Sequence, residues 1–374
     1  MGSPAPRGAF PPLRLGLEPG YDGGRTGAWL LDIPGAFGWA PTRDAAISQS
    51  PSVAGWWREW LARHGEPWPL GEVGPAVITE EVPASVEDEF ERNALFAHDE
   101  RPLGRDEIET AIGRLEAARA DLTGLIDRLG IVDAPEGERT AEDVLRHLAG
   151  SEIRLGSRLD PAARYPGRTD EPDPRIHLAA TRGWAVENLR RLHATDPASR
   201  RVDSKGEAWT LAKVVRRYVY HSVDHLRELD RRLARAEDRP ARLRWSEEPL
   251  AAVTPLVRLL RAVGWDRRTI DPERLARAIE GSQAMVSAWD GEELVAFARE
   301  LGDGVFNAVI SMVVVDPRWQ GLGLANRLVG TLMADRPNAR FALHAAGGVD
   351  AYYRRFGFEH DPSAMVRPRP DPGR

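Results

Sequence analysis

The feature that most constrains the fold is a short glycine-containing loop in the last third of the chain. The segment Trp-Gln-Gly-Leu-Gly-Leu-Ala at 319–325 follows the apolar run at 313–315 and precedes a helical pattern that begins near Asn326. This order predicts a strand, a glycine loop and a helix. The N–H groups at a helix N-terminus lack partners, and glycine lets an anion approach the main chain closely. The loop is therefore a candidate site for a pyrophosphate group.

Two motifs in this region resemble those of the GNAT acetyltransferase superfamily. Gln-x-x-Gly-x-Ala at 320–325 directly follows a valine strand that ends in Asp316 and Pro317. Further along, Ala-Tyr-Tyr-Arg-Arg-Phe-Gly-Phe at 351–358 carries a tyrosine four residues before a Gly-Phe pair. The resemblance implies a mixed-sheet fold over residues 241–374, acetyl-coenzyme A (acetyl-CoA) as acyl donor, and N-acetyl transfer to a small amine or a peptide amine.

The resemblance also implies which residues form the site. In that family the strand before the loop holds the pantetheine arm, the loop amides hold the pyrophosphate, and the tyrosine is the general acid. The matching residues here are Met312, Val313, Val314 and Val315 in the strand, Gln320, Gly321, Leu322, Gly323, Leu324 and Ala325 in the loop, and Tyr353. A tyrosine with the ordinary pKa of about 10 is protonated at neutral pH and can donate to a thiolate. Tyr352 is the alternative assignment.

The general base is not specified by the sequence. Asp303, Glu300, Asp316 and His344 all lie on or near the predicted strands, and each is also compatible with a solvated surface group. A chain of water molecules can replace a dedicated base. The four residues and the water chain therefore remain alternatives.

The segment Leu-Leu-Arg-Ala-Val-Gly-Trp at 259–265, with Arg299 and Asp303 further on, is similar to small GNAT proteins that acetylate small amines. These include the plant arylalkylamine type. In this comparison Trp265 is a candidate wall of the acceptor pocket, and a core position is the alternative.

The middle of the chain has a helical pattern. Apolar residues recur at spacings of three and four over 106–129, Thr140 begins a second helix, a third covers about 174–192, and Thr210 caps a fourth. A proline- and charge-rich segment separates the second helix from the third. Four long helices with one such crossover predict a four-helix bundle.

Three histidines of this region are candidate metal ligands. His221 and His225 are four residues apart and share one face of the fourth helix, and His147 lies midway along the second. The sequences Arg-His-Leu-Ala-Gly-Ser-Glu and Tyr-His-Ser-Val-Asp-His-Leu around them resemble the DinB-like bundle superfamily. That resemblance implies a divalent metal on three imidazoles, which suit zinc, nickel or iron and leave one coordination position open. Asp224 and Glu152 are candidates to orient the rings.

The alternative for these histidines is a packing role in a bundle that has lost its metal. A second hypothesis for the whole chain is that it is a metal-dependent DinB-like enzyme or ligand sensor, in which the transferase part is accessory. A third hypothesis is that the chain is a regulatory scaffold.

The N-terminal region predicts a small α/β hairpin domain. The pattern predicts strands at residues 27–35 and 37–40, joined by a Pro-Gly turn. It then predicts a helix that is capped by Thr42 and interrupted at Pro51. The order of elements and the sequence motif Gly-x-x-Leu-x-Asp-x-Pro-Gly resemble those of the HicB-like antitoxin domain. No basic segment adjoins it, so a repressor role is not expected. The tryptophans at 56, 57 and 60 are expected in a core or an interface.

Composition sets the remaining bounds. The 374 residues exceed what one core usually serves, so we expect a multidomain α+β protein with domains at 1–82, 83–240 and 241–374. A net charge of -6 argues against nucleic acid as a partner, and the apolar runs are too short for a membrane span. There is no cysteine, which excludes disulfides and thiolate chemistry. A bacterial, cytoplasmic protein is expected, with an amine substrate as partner and a homodimer as one alternative for its assembly.

Overall fold

The structure is a computed structural model that describes residues 10–87, 90–129, 139–160, 162–195, 200–204, 206–334 and 336–367. The first and third predicted domains therefore extend beyond the described residues, at 1–9 and 368–374. Within the described ranges the strands are β1 (Leu13–Gly20), β2 (Arg25–Leu30), β3 (Phe37–Ala40), β4 (Ala76–Glu81), β5 (Ser85–Glu87), β6 (Phe90–Arg92), β7 (Val202–Ser204), β8 (Glu207–Trp209), β9 (Arg244–Ser246), β10 (Ala284–Asp290), β11 (Glu293–Gly302), β12 (Asn307–Val315) and β13 (Arg340–Leu343). The α-helices are α1 (Tyr21–Gly24), α2 (Arg43–Arg63), α3 (Arg105–Leu129), α4 (Ala141–Gly156), α5 (Pro174–Thr195), α6 (Leu211–Ala236), α7 (Thr254–Ala262), α8 (Pro272–Glu280), α9 (Leu324–Ala334) and α10 (Asp350–Arg354).

The chain divides into two compact units. One, here called the sheet unit, contains Met1–Leu13, Asp44–Val77 and Pro240–Arg374, and the other, the helical unit, contains Arg14–Arg43 and Ile78–Arg239. The predicted N-terminal domain at 1–82 is thus divided, because almost all of helix α2 packs in the sheet unit while β1 to β3 pack in the helical unit. Neighbours in sequence here belong to different cores.

The sheet unit is built on a five-stranded mixed sheet in the order β13-β12-β11-β10-β9. Strands β12 and β13 are parallel, and the other neighbouring pairs are antiparallel. Because side chains alternate along a strand, the sheet buries two apolar clusters. Helix α9 covers one face, with Leu324 and Leu328 in its cluster, and α7 and α8 cover the other face, with Leu260 and Ile279 in theirs.

Two sequence predictions in the sheet unit have clear outcomes. The hairpin at Asp290 and Gly291 is confirmed, since Asp290 pairs with Glu293 and Gly291 has a φ of 56°. The strand predicted near Phe358 is wrong: among the described residues no strand follows α10. Instead, the N–H of Phe358 donates to the carbonyl of Tyr353, and Gly357, with a φ of 81°, ends the helix in a tight turn.

The helical unit contains the four long helices α3 to α6 and a sheet in the order β3-β2-β1-β4. Helix α3 packs against α6, and α4 packs against α5. The predicted caps are confirmed: the hydroxyls of Thr140 and Thr210 accept hydrogen bonds from the N–H groups of Asp143 and Lys213. These bonds define where α4 and α6 begin.

One buried arginine joins all four of these helices. The guanidinium of Arg182 in α5 donates to Glu152 of α4 (2.5 Å), to the carbonyl of Leu115 in α3 (2.5 Å) and to the hydroxyl of Ser222 in α6 (3.1 Å). Arg182 and Glu152 are both buried. A buried charge is stable only where its partners satisfy it, so this residue specifies how the helices are arranged.

Helix α2 is continuous, although the sequence predicts an interruption at Pro51. A proline inside a helix removes one backbone hydrogen bond. Around Pro51, helix α2 packs closely on other parts of the sheet unit. A Cβ added to Gly264 would lie 2.1 Å from the carbonyl oxygen of Pro51. A Cβ added to Gly55 would lie 1.8 Å from the carbonyl oxygen of Ala262. The helix is held where the proline would otherwise break it.

This contact leads to a prediction on stability. The substitution Gly55→Ala is expected to destabilise the protein by about 1–3 kcal/mol, because the added methyl group overlaps the Ala262 carbonyl. The control is Gly113→Ala in α3, where a Cβ meets nothing within 4 Å and alanine is the better helix former. Calorimetric melting should show a lower transition temperature for the first variant and an equal or higher one for the second. An unchanged Gly55→Ala variant would contradict the packing.

Candidate functional site

In the sheet unit the pairing of the two parallel strands β12 and β13 ends before β12 does. Pairing between β12 and β13 runs from Asn307 with Arg340 to Ile310 with Leu343, where β13 ends. Strand β12 continues to Val315. Over residues 311–315 it therefore extends beyond its parallel partner, and this edge of the strand is available for another extended molecule.

The same stretch of β12 contains a β-bulge. Phe297 pairs with Val314 and Arg299 pairs with Ser311, so Ala298 of β11 opposes both Met312 and Val313. Met312 has a φ of 57°, in the left-handed region that non-glycine residues seldom adopt. Such a conformation costs on the order of 1–3 kcal/mol and concentrates at functional sites. The predicted strand residues of the cofactor site thus lie at a kinked and strained position.

The glycine loop lies directly after this strand. Gly321 and Gly323 have φ values of 77° and 85°, which favour glycine, and a Cβ at either position meets nothing within 4 Å. Helix α9 begins at Leu324, and the N–H groups of Asn326 and Arg327 in its first turn donate to the carbonyl of Gly323. The N–H groups of Leu324 and Ala325, which come before them, are the orphan donors of this helix N-terminus. A left-handed glycine loop at a helix N-terminus is the geometry that anion-binding loops use.

The side chain of Gln320 connects the loop to two other elements. Its Nε2 donates to the carbonyl of Val315 at the end of β12 (3.0 Å) and to the hydroxyl of Ser52 in α2 (3.1 Å). Ser52 and Gln320 are 268 positions apart in the chain. Sequence analysis missed Ser52, and no local pattern around it signals this role.

A charged cluster lies beside the loop. The guanidinium of Arg318 donates to both carboxylate oxygens of Asp316 and to Glu293, and Glu59 of α2 lies 3.8 Å from it. The hydrogen bonds to Asp316, and then that to Glu293, raise the pKa of Arg318. Burial, and then the nearby carboxylate of Asp316, raise the pKa of Glu59 to about 7. Glu59 is a second residue that sequence analysis did not identify.

The two tyrosines of α10 have different surroundings. Tyr353 packs against the cluster on the α9 face, which includes Val315 and Leu324, and burial raises its pKa. The hydroxyl of Tyr352 is buried with no hydrogen-bond partner among the described residues, and burial raises its pKa to about 12. Both hydroxyls keep their protons at neutral pH, so both can act as acids.

Three of the four candidate bases take part in other interactions. Glu300 is fully buried in an ion pair with Arg336. Asp303 accepts the N–H groups of residues 305, 306 and 307, and these bonds lower its pKa. Asp316 is bonded to Arg318, and His344 is exposed. These contacts favour His344 or a water chain over the carboxylates.

The helical unit brings the three predicted histidines together. The rings of His147 on α4 and of His221 and His225 on α6 each offer one nitrogen, and these nitrogens lie within 4.8 Å of one another. The Nε2 atoms of His147 and His221 are 2.9 Å apart. Burial and the neighbouring His225 lower the pKa of His147 to about 4, and burial lowers that of His221. Neutral imidazoles at this spacing can hold a metal ion.

The carboxylate that orients a ring is not one of those predicted. Nδ1 of His225 contacts Glu228, three residues later on the same helix, at 2.7 Å. Glu152 instead receives hydrogen bonds from Arg182 and Thr181. The spacing of three between a histidine and a carboxylate was a usable signal for Glu228.

The raised pKa of Glu59 gives a prediction on pH. Between pH 4.5 and about 7 the folded protein retains a proton that the unfolded chain has lost, so the free energy of unfolding falls as the pH rises through this window. The variant Glu59→Gln lacks this dependence. Its melting temperature relative to the original protein should therefore be higher at pH 8 than at pH 5. Equal differences at the two pH values would show that Glu59 has an ordinary pKa.

Comparisons with known proteins match the C-terminal part of the chain. Residues 261–367 match the family model of the acetyltransferase (GNAT) domain. The chain is 44% identical over 111 residues to serotonin N-acetyltransferase 2, chloroplastic, from Oryza sativa, and 38% identical over 111 residues to GCN5-related N-acetyltransferase 1, chloroplastic, from Arabidopsis thaliana. Each alignment covers 28% of this chain and 54% of the relative, so the chain spans about half the length of these curated relatives.

Among solved structures, a GNAT-family acetyltransferase from Streptococcus pneumoniae is 23% identical, with a TM-score of 0.31, over 34% of this chain and 99% of that one. The family match and the relatives show that the C-terminal part of the chain is a GNAT acetyltransferase domain. A search of the helices in the described part of the chain finds none with the length and apolar character needed to span a membrane.

Proposed function

We propose that the protein is an acetyl-CoA-dependent N-acetyltransferase that acts on a small amine or a peptide amine. The observation that carries this proposal is the bulged end of β12, which in the described part of the chain has no partner on the β13 side and leads into a left-handed glycine loop at the start of α9. The family match over residues 261–367 supports it.

The residues present fit acetyl-CoA. The N–H groups of the glycine loop, with those of Leu324 and Ala325 at the start of α9, would hold the pyrophosphate, and Gly321 and Gly323 leave open space beside the main chain. The free edge of β12 over 311–315 would pair with the amide groups of the pantetheine arm, as one strand pairs with another. When bound, acetyl-CoA supplies an acetyl group activated as a thioester.

The chain's own residues then supply proton transfer and orientation. Tyr353 holds a proton on its hydroxyl, because burial keeps its pKa above the ordinary value, and is the proposed donor to the leaving sulfur. The N–H groups at the bulge of β12 are the proposed donors to the acetyl carbonyl oxygen. The attacking amine loses its proton to water or to His344, which is exposed. The C–N bond forms as the C–S bond breaks, so no covalent intermediate on the protein is needed.

The names of the curated relatives suggest which acceptor amines to test first. The rice protein is named as a serotonin N-acetyltransferase. Serotonin and other arylalkylamines are therefore the first acceptors to test, and peptides with a free amine are the second.

The test of this function uses calorimetry and kinetics on the full chain. Acetyl-CoA should bind, and Tyr353→Phe should lower kcat about 100-fold with an unchanged Kd for acetyl-CoA, because only the proton donor is lost. Tyr352→Phe should leave kcat within about twofold. The reverse pattern would transfer the acid role to Tyr352, and absence of acetyl-CoA binding would overturn the proposed function.

A second function is favoured by the histidine cluster. We propose that α3 to α6 form a DinB-like bundle in which His147, His221 and His225 bind zinc, nickel or iron. The convergence of three ring nitrogens from two helices supports this, and Glu228 fixes the tautomer of His225. Three protein ligands leave a position for water or a ligand, which is the arrangement of catalytic sites.

Metal analysis of purified variants tests this proposal. The full chain should bind one divalent ion, and His147→Ala and His221→Ala should each abolish binding. Glu228→Ala should weaken it by about 10- to 100-fold, because the second partner of His225 is lost. The control His193→Ala alters a histidine of α5 that contacts the carbonyl of Leu103 instead, and it should bind normally. Equal metal content in all variants would exclude these ligands.

A further inference from the structure

Helix α2 carries two parallel rows of contacts within the sheet unit. The row formed by Pro51, Gly55 and Arg58 packs on the end of α7 and the turn that follows it. The other row, formed by Ala45, Ser48, Ser52 and Glu59, has spacings of three, four and seven and so lies on one adjacent face. This second row is here called the opening face of α2.

The opening face contacts the loops on both sides of the gap between β12 and β13. The hydroxyl of Ser48 donates to the carbonyl of Gly347 in the loop after β13 (2.7 Å). One helical turn later, the hydroxyl of Ser52 accepts from Gln320 in the loop after β12 (3.1 Å). Helix α2 therefore bridges the two loops that follow the separating strands.

The helix is held firmly in this position. Arg58 donates to the fully buried carboxylate of Asp266 (2.6 Å), which also accepts the N–H of Val73 (2.5 Å). A Cβ added to Gly348 would lie 2.3 Å from Cβ of Ala45. Contacts this close allow little movement of α2. Ser52 is thus a fixed acceptor for the side chain of Gln320.

We propose that Ser52 is a positioning residue for acetyl-CoA. Together with the Val315 carbonyl, the Ser52 hydroxyl holds the side chain of Gln320. This keeps the start of the glycine loop in the conformation that binds the pyrophosphate. This inference rests on the proposed acetyltransferase function. It assigns part of the cofactor site to a helix that precedes the matched domain at 261–367.

The physical reason lies in the two N–H groups of the Gln320 amide. One donates to the Val315 carbonyl and the other to the Ser52 hydroxyl, so two acceptors fix the orientation of the Gln320 amide group. Without the Ser52 hydroxyl, one N–H loses its partner and the exposed loop gains conformational freedom. Binding must then order the loop again, which weakens affinity.

The experiment measures acetyl-CoA affinity by calorimetry on the full chain. Ser52→Ala should raise Kd about fivefold, the usual worth of one neutral hydrogen bond, and Ser52→Thr, which keeps the hydroxyl, should restore it. The control is Ser50→Ala on the same helix, whose hydroxyl bonds to the carbonyl of Ala46 (2.9 Å). That variant should bind as the original protein does.

A double-mutant cycle separates positioning from a general loss of structure. In the background of Gln320→Ala, the further change Ser52→Ala should have no effect on Kd, because the partner is already gone. Hydrogen exchange provides a second measure: acetyl-CoA should protect the amides of residues 43–63 in the original protein and protect them less in Ser52→Ala.

The outcomes are distinguishable. Unchanged or tighter binding by Ser52→Ala, with normal binding by the original protein, would overturn this inference and leave the acetyltransferase function intact. Tighter binding in particular would mean that α2 restrains the loop against the cofactor. Absence of binding by the original protein would overturn the proposed function, and this inference with it.

Discussion

The proposed acetyl-transfer site depends on one constraint, the loss of a strand partner. Strand β12 pairs with β13 only as far as Ile310, then bulges at Met312 and continues to Val315 with β11 as its one strand partner among the described residues. An unpaired strand edge inside a protein needs another hydrogen-bonding partner, from a ligand or from solvent. The free edge and the strained residue lie on the same end of β12, and the glycine loop follows that end after the short turn at Pro317–Trp319.

In the helical unit a buried charge has the corresponding role. Arg182 contacts α3, α4 and α6 through its three guanidinium nitrogens, and its partner Ser222 is adjacent to His221 in sequence. Removing such a residue would leave Glu152 unpaired in the interior, which typically costs about 3–5 kcal/mol. The arrangement that satisfies the arginine is also the one in which His147 meets His221 and His225, so the histidine geometry depends on a residue outside the cluster.

Much of the local structure was predictable because short-range chemistry controls it. Thr140 and Thr210 cap their helices, Asp290 and Gly291 form the hairpin, and the loop at 319–325 follows a strand and precedes a helix. Errors arose where distant residues decide the outcome. Helix α2 is continuous through Pro51, where Gly264 packs closely on it from a distant part of the chain. The strand expected at Phe358 fails for a local reason instead, because the left-handed Gly357 ends α10 in a turn. Helix α2 and the neighbouring strands also join different cores, and no local pattern in the sequence shows this division.

The sequence alone determined the residue types, their spacing along each element and hence the class of chemistry: a glycine loop before a helix, a tyrosine before a Gly-Phe pair, and three histidines on helices. Only the tertiary structure decided which residues meet. It brought Ser52 to Gln320 across 268 positions, placed Glu59 beside Asp316 and gave His225 the partner Glu228 in place of Asp224 or Glu152. Periodicity and capping act over a few residues and are legible in a sequence, whereas burial and pKa depend on everything that packs around a group.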